Sequence, residues 1–256
     1  MPPERLGTRM RLTSQTSSDG VTEHLFTLSF SSGEIPGVLW TPDGATGPRP
    51  LILMGHGGGQ HKKAPGIVAR ARRFAAERGF AVAAVDAPAH GDRPRTEEHD
   101  RVITEMRTRS RTGGDVAPVL AEFHALLIGQ STPEWRAVLD AVQELDHVGA
   151  GPVGYWGMSL GCGLGVPFIA AEPRVRAAVL GLNGAESSAG AAARITVPLE
   201  FLVQWDDERV PRAASLALFD LFASTEKTLH ANPGKHAEVP LFEVDSSLRF
   251  FDRHLS

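Results

Sequence analysis

GPVGYWGMSLGCGLGVPFIAA, residues 151–171, decides the fold. Its first half is a short apolar run of the kind that forms a strand buried on both faces. Its second half, LGCGLGVPFIAA, reads as a helix. Between them Gly157-Met158-Ser159-Leu160-Gly161 matches G-x-S-x-G in the strand–turn–helix setting that this motif requires. Such a turn is tight and strained, so small residues must flank the serine. Gly154, Gly157, Gly161, Gly163 and Gly165 leave that room. Ser159 is then exposed above a sheet, with the dipole of the following helix beneath it. The plain alternative is a serine N-cap on a glycine-rich helix. The strand ahead of the turn favours a nucleophile.

Working outward, the same alternation recurs along the chain. Residues 23–30 and 35–40 read as strands joined at Ser32-Gly33. Residues 50–54 and 80–85 are short apolar runs, with a helix between them over Pro65–Arg78 and Gly79 at its C′ position. Thr132-Pro133-Glu134 reads as an N-cap with proline at N1, opening a helix whose apolar face carries Trp135, Val138, Leu139, Val142 and Leu145. VRAAVLGLN and PLEFLVQW are further strands. Residues 211–222 read as a helix, 226–230 as a short strand and 238–254 as the closing helix. Strands alternating with helices predict an α/β fold: a mostly parallel central sheet with helices on both faces. Ligands bind at the carboxyl ends of such strands.

Residues 90–131 are too long for an ordinary loop. The charged segment 96–109 reads as a helix, Gly113-Gly114 breaks it, and Val119, Phe123, Leu126 and Leu127 form a second apolar stripe. The expected organisation is one domain over 1–256. Within it, 94–131 is a small helical insertion, either a cap over a pocket or an extension packed on the core edge.

YWGMSLGCGLG resembles the nucleophile elbow of the α/β-hydrolase superfamily. It is most similar to the dienelactone hydrolase-like and prolyl oligopeptidase-like serine hydrolases, and the resemblance runs from about Val21 to the C-terminus. It implies a serine esterase with a Ser-His-Asp triad in the chain order Ser, Asp/Glu, His. True dienelactone hydrolases carry cysteine at the elbow, where this chain has Ser159. Cys162 lies three residues on, inside the helix, as a packing residue.

Of ten histidines, His236 follows the last strand signal, where the resemblance implies the base. His230 falls in the preceding strand, and His254 on an amphipathic helix with a solvated ring. The acid should end PLEFLVQW, where Asp206, Asp207 and Glu208 stand together. The resemblance implies an acid four residues before a helix-starting proline, and Pro211 selects Asp207. The expected oxyanion hole is the N–H of Leu160 with one from His56-Gly57-Gly58-Gly59, Gly58 first and Gly57 as the alternative. His56 and His90 are candidate pocket residues. Asp92 and Arg93 are candidates for a pair holding the His90 loop, and Lys62 and Lys63 read as solvated.

No H-e-x-x-H or paired C-x-x-C pattern points to metal, and His99 beside Glu97, Glu98 and Asp100 reads as a solvated helix face. The expected enzyme uses no cofactor and no metal. Its partner is a small ester-like molecule. A net charge of -4 gives no sign of nucleic acid or an anionic membrane. The N-terminus lacks an apolar leader core, no apolar run approaches a membrane span, and the lone cysteine precludes an internal disulfide. A cytoplasmic location follows as the expectation, and oligomeric state stays open. Thioesterase, lactonase, peptidase and acyltransferase chemistry would use the same triad. A ligand-binding protein on a hydrolase scaffold would not need all three residues.

Overall fold

A computed structural model describes residues 9–185 and 188–256. The N-terminal stretch read above for a leader begins in residues 1–8, which lie outside the described residues.

A nine-stranded sheet has the order β1-β2-β3-β5-β4-β6-β7-β8-β9. β1 (Arg9–Ser18), β2 (Val21–Phe30) and β3 (Gly33–Pro42) form an antiparallel meander, and β3 joins β5 (Ala81–Val85) antiparallel. β4 (Leu51–Gly55), β5, β6 (Val153–Met158), β7 (Val175–Gly181), β8 (Leu199–Gln204) and β9 (Lys227–Asn232) run parallel. The mostly parallel sheet of the sequence reading is therefore present. β1 was not foreseen, for a physical reason: RMRLTSQTSS buries no residue, so it carries no alternating apolar signal.

Side chains alternate across the pleat and divide the core in two. Leu51, Leu53, Ala81 and Ala83 face a layer with Trp135, Val138, Phe168 and Leu218. Those residues come from α3 (Ala117–Gln143), α4 (Leu160–Ala171) and α6 (Arg212–Leu221). Ile52, Met54, Val82 and Ala84 face Ile67, Phe74, Leu248 and Phe251 of α1 (Pro65–Arg78) and α7 (Phe242–Leu255). α2 (Glu97–Thr112) lies beyond the first layer against α3, and α5 (Ala189–Ala192) is a short turn of helix. α1 ends as expected: Gly79 is left-handed and its N–H returns to the Ala75 carbonyl.

The helix expected to begin at Thr132 does not. α3 runs unbroken through Pro133. Among the described residues Thr132 Oγ1 and Ser131 Oγ have no hydrogen-bond partner, so neither caps a helix start. A mid-helix proline costs about 3 kcal/mol or more. Here buried Val119 and Leu127 on one side of it and Trp135, Val138, Leu139 and Val142 on the other hold one continuous apolar face. The closing helix starts at Phe242, four residues past the expected start.

No described helix is long and apolar enough to cross a membrane.

Candidate active site

Ser159 sits between β6 and α4 with φ 56° and ψ -119°, a conformation that side-chain-bearing residues rarely adopt. The turn needs glycine at both flanks. A Cβ on Gly157 would stand 2.5 Å from the Gly161 carbonyl oxygen, and one on Gly161 would stand 2.3 Å from the Gly55 carbonyl oxygen. The strain holds Oγ above the sheet, at the carboxyl end of the central strand.

The groups expected around it converge. His236 Nε2 lies 3.0 Å from Ser159 Oγ, and His236 Nδ1 lies 2.7 Å from Asp207 Oδ2. The imidazole and carboxylate are buried, at 6% and 3% side-chain exposure, so water competes little for either contact. Asp207 Oδ1 accepts the backbone N–H groups of Arg209 and Val210 at 2.8 and 2.9 Å, which turns the other oxygen toward the imidazole. The neighbouring acids do different work. Asp206 accepts from the Gly234 amide at 3.3 Å, and Glu208 accepts from the His236 amide at 3.0 Å. That amide holds the Glu208 carboxyl below its ordinary range. The loop carrying His236 is further tied through Asn232 at the end of β9, whose side chain donates to Glu243 of α7 at 2.8 Å.

Leu160 is the first residue of α4, so its amide has no acceptor within the helix. Gly58 lies across from it, since a Cβ there would come 3.9 Å from Leu160 Cβ. The alternative amide, on Gly57, is engaged with Gln60 Oε1 at 3.2 Å. Gly58, Gly59 and His90 line the cavity above Ser159, while Gly57 and His56 do not.

His56, a candidate pocket residue, is a strut instead. Its Nε2 accepts the Ala87 amide at 3.0 Å, so Nδ1 carries the proton toward the Gly57 carbonyl 2.8 Å away. It thus joins the loop after β4 to the loop after β5 as a neutral ring. Burial pushes its pKa down to about 4, against an opposing pull from the Gly57 carbonyl.

Several expectations require correction. Lys62 is buried, not solvated. Its Nζ meets Asp86 at 2.8 Å and Asp92 at 2.6 Å, because the buried Asp86 carboxylate needs a cation. Lys63, by contrast, keeps 39% of its side chain exposed, as expected of a solvated residue, while pairing with Glu23. Arg93 does not pair with Asp92. It forms a buried two-point ion pair with Glu134 at 2.5 and 2.7 Å. His99 is 2% exposed and packs edge-on against Phe123, so it does not lie on a solvated face. His254 is largely covered by Phe250, with ring centroids 4.7 Å apart. Cys162 is buried as expected, and burial raises its thiol to about 12.

The sequence reading missed Asn183, which follows β7, lines the cavity and donates to the Ser159 carbonyl at 3.2 Å. The available signal was its place at the end of VRAAVLGLN, a strand end beside the elbow. Met106 and Leu120 were also missed as wall residues, as were Arg209 and Val210. Away from the cavity, Glu200, His230 and Glu243 bring ligand-type atoms within 4.8 Å of one another beneath α7. β8, β9 and α7 each contribute one of them, so no local spacing announces the group.

A strained serine turn at the end of β6, with an acid and a histidine delivered by the last two strand loops, is the arrangement found in α/β-hydrolases. No protein-family model matches the sequence, and no curated protein matches it. Solved structures do. A cold-adapted esterase from an Arctic intertidal metagenomic library is 31% identical, aligning over 96% of this chain and 100% of its own with a TM-score of 0.79. An acetyl xylan esterase from Paenibacillus sp. R4 is 15% identical over 98% of this chain and 90% of its own, TM-score 0.72. A dienelactone hydrolase from Anabaena variabilis is 21% identical over 93% of this chain and 100% of its own, TM-score 0.64. The chain belongs to the α/β-hydrolase superfamily.

Proposed function

We propose that this chain is a carboxylic ester hydrolase working through an acyl-enzyme. The observation that carries the reading is the unbroken contact from Asp207 through His236 to Ser159, at 2.7 and 3.0 Å, among residues far apart in sequence. The esterase similar over nearly the whole chain supports the choice of ester bonds.

In this mechanism His236 Nε2 takes the Ser159 proton as Oγ attacks the ester carbonyl carbon. Asp207 fixes the Nδ1–H tautomer and stabilises the imidazolium that forms. The carbonyl oxygen becomes an oxyanion, held by the Leu160 and Gly58 amides. Collapse breaks the bond to the alkoxy oxygen, which takes the proton from His236 and leaves as alcohol. Water then repeats the sequence: His236 removes its proton, hydroxide adds to the acyl carbon, and Ser159 departs with the proton returned. The acid is released and the enzyme is regenerated.

Cytoplasmic residence is part of the proposal, and the single buried thiol suits a reducing compartment. The whole chain acts as one catalytic unit that needs no cofactor.

Turnover of p-nitrophenyl butanoate tests the reading. The wild-type chain should hydrolyse it, and Ser159→Ala should lose the activity while retaining its melting temperature. Equal turnover by both proteins would refute the proposal.

A further inference from the structure

We propose that α2 and the first half of α3 form an acyl-binding pocket, which selects esters of aliphatic acids of about four to eight carbons over acetyl esters. The proposal rests on the ester-hydrolase reading and extends it to substrate class.

The direction of the acyl chain follows from strand order. Ser159 ends β6. On one side lie β7, β8 and β9, whose loops deliver Asp207 and His236. On the other lie β4, whose end carries Gly58, and β5, whose following segment leads into α2 and α3. The leaving oxygen must face His236, because that ring protonates it. The carbonyl oxygen must face the Leu160 and Gly58 amides. The remaining substituent, the alkyl part of the acid, is directed to the β5 side under the helices. The alcohol leaves toward Arg209 and Val210.

That side is mostly apolar, with His90 and His124 as its polar members. Met106 of α2 and Leu120, Phe123 and Ile128 of α3 close the cavity over Leu160 and Leu164 of α4. Leu127, Leu160 and Leu164 form a separate small hydrophobic cluster against which Phe123 and Ile128 pack, so the wall continues into an apolar base. A hydroxyl-rich acid or sugar placed there would lose water without hydrogen-bond partners from these six side chains. A hydrocarbon chain loses nothing and gains contact, and methionine adapts to chains of differing length. The cavity is about 330 Å³. That volume includes the side toward Arg209 and Val210; at about 30 Å³ per water-sized group it holds roughly ten such groups, so an acetyl group leaves room for a longer acyl chain.

A series of p-nitrophenyl esters with one leaving group and increasing acyl length provides the test. We expect kcat/KM to rise at least tenfold from acetyl to hexanoyl and to fall again by dodecanoyl, since a single pocket-filling methylene already contributes about 10-fold or more. Met106→Trp and Leu120→Trp, both at partly exposed wall positions, should each lower the hexanoyl-to-acetyl ratio of kcat/KM at least tenfold. Phe123→Ala should move the optimum to longer chains. A flat or acetyl-preferring profile in the wild type would overturn the pocket while leaving the hydrolase reading intact, as would ratios unmoved in all three folded variants. No hydrolysis of any member would remove both.

Discussion

The strand ends around Ser159 and the helices above them are built on different principles. At the strand ends, each functional group is held by directional bonds. Asp207 takes two backbone amides and the His236 ring, and the His236 amide is bound to Glu208. His56 spans two loops with both ring nitrogens. In α2 and the first half of α3 the cavity wall is mostly apolar packing: Met106, Leu120, Phe123 and Ile128 line it beside the single polar ring of His124, and Phe123 and Ile128 pack against Leu160 and Leu164 of α4. Directional bonds tolerate no displacement, whereas apolar packing accepts exchange among residues of similar volume. On the proposed mechanism, reaction chemistry sits on the strand ends, and the choice of substrate sits on the helices.

Substitutions at the strand ends should give the largest losses. Ser159→Ala and His236→Ala should each lower ester kcat by several orders of magnitude, and the double variant should be barely worse than either, because the two groups act as a unit. Multiplying losses in steady-state kinetics would break the pairing. Next, Asp207→Asn should cost roughly 10⁴ in kcat, as expected when an amide favours the wrong histidine tautomer. Asp206→Asn, whose side-chain hydrogen bond among the described residues is to the Gly234 amide at 3.3 Å, should stay within about tenfold of wild type, since the loss is a weak exposed bond. The reverse order at neutral pH would move the acid by one residue.

The boundary between the two regions carries the largest stability effect. Glu134→Ala strands Arg93, which is 6% exposed, and should cost about 3–5 kcal/mol in urea unfolding. Comparable loss from Arg93→Ala and little further loss in the double variant would mark the pair as one unit. A milder effect comes from pH. His56 is held neutral to about pH 4, against 6.5 when unfolded. The unfolded chain binds the extra proton first as pH falls. His56 therefore contributes stability fully above pH 6.5, and this contribution is lost as pH falls to about 4. At 1.36 kcal/mol per unit its full worth is about 3 kcal/mol. Buried His24 and His99, also pushed down chiefly by burial, act in the same direction. In His56→Gln the fall in melting temperature between pH 6.5 and 4 should be visibly smaller than in wild type. The smallest expected effect is none: dialysis against chelator should leave kcat unchanged, since Glu200, His230 and Glu243 lie outside the cavity lining. Activity lost and then restored by zinc would contradict this.

The same division explains what could be read in the sequence. Ser159, Asp207 and Gly58 each follow an apolar strand signal, and His236 follows the short, mostly polar last strand, so chain order and local motif locate them. Lys62 and His99 read as surface residues, and Arg93 as a local partner of Asp92, because their actual partners lie 24 or more residues away. Only the folded sheet brings Asp86 to Lys62 and Glu134 to Arg93. Pro133 misled in the opposite way. Its local preference for a helix start is real, and continuous burial on both sides overrode it. The wall residues Met106 and Leu120 carry no motif, because an apolar side chain facing a cavity has the same sequence signature as one facing a core.

The central claim is that Ser159 is an activated nucleophile. A fluorophosphonate reacts with such a serine and forms a stable phosphonyl adduct as fluoride leaves. Intact-mass and peptide mass spectrometry after brief exposure should find one adduct, on the peptide carrying Ser159, with ester turnover falling in proportion to labelling. It should be absent in His236→Ala, where no base activates the hydroxyl. An unlabelled Ser159 in a chain that still hydrolyses esters, or equal labelling with and without His236, would contradict the account.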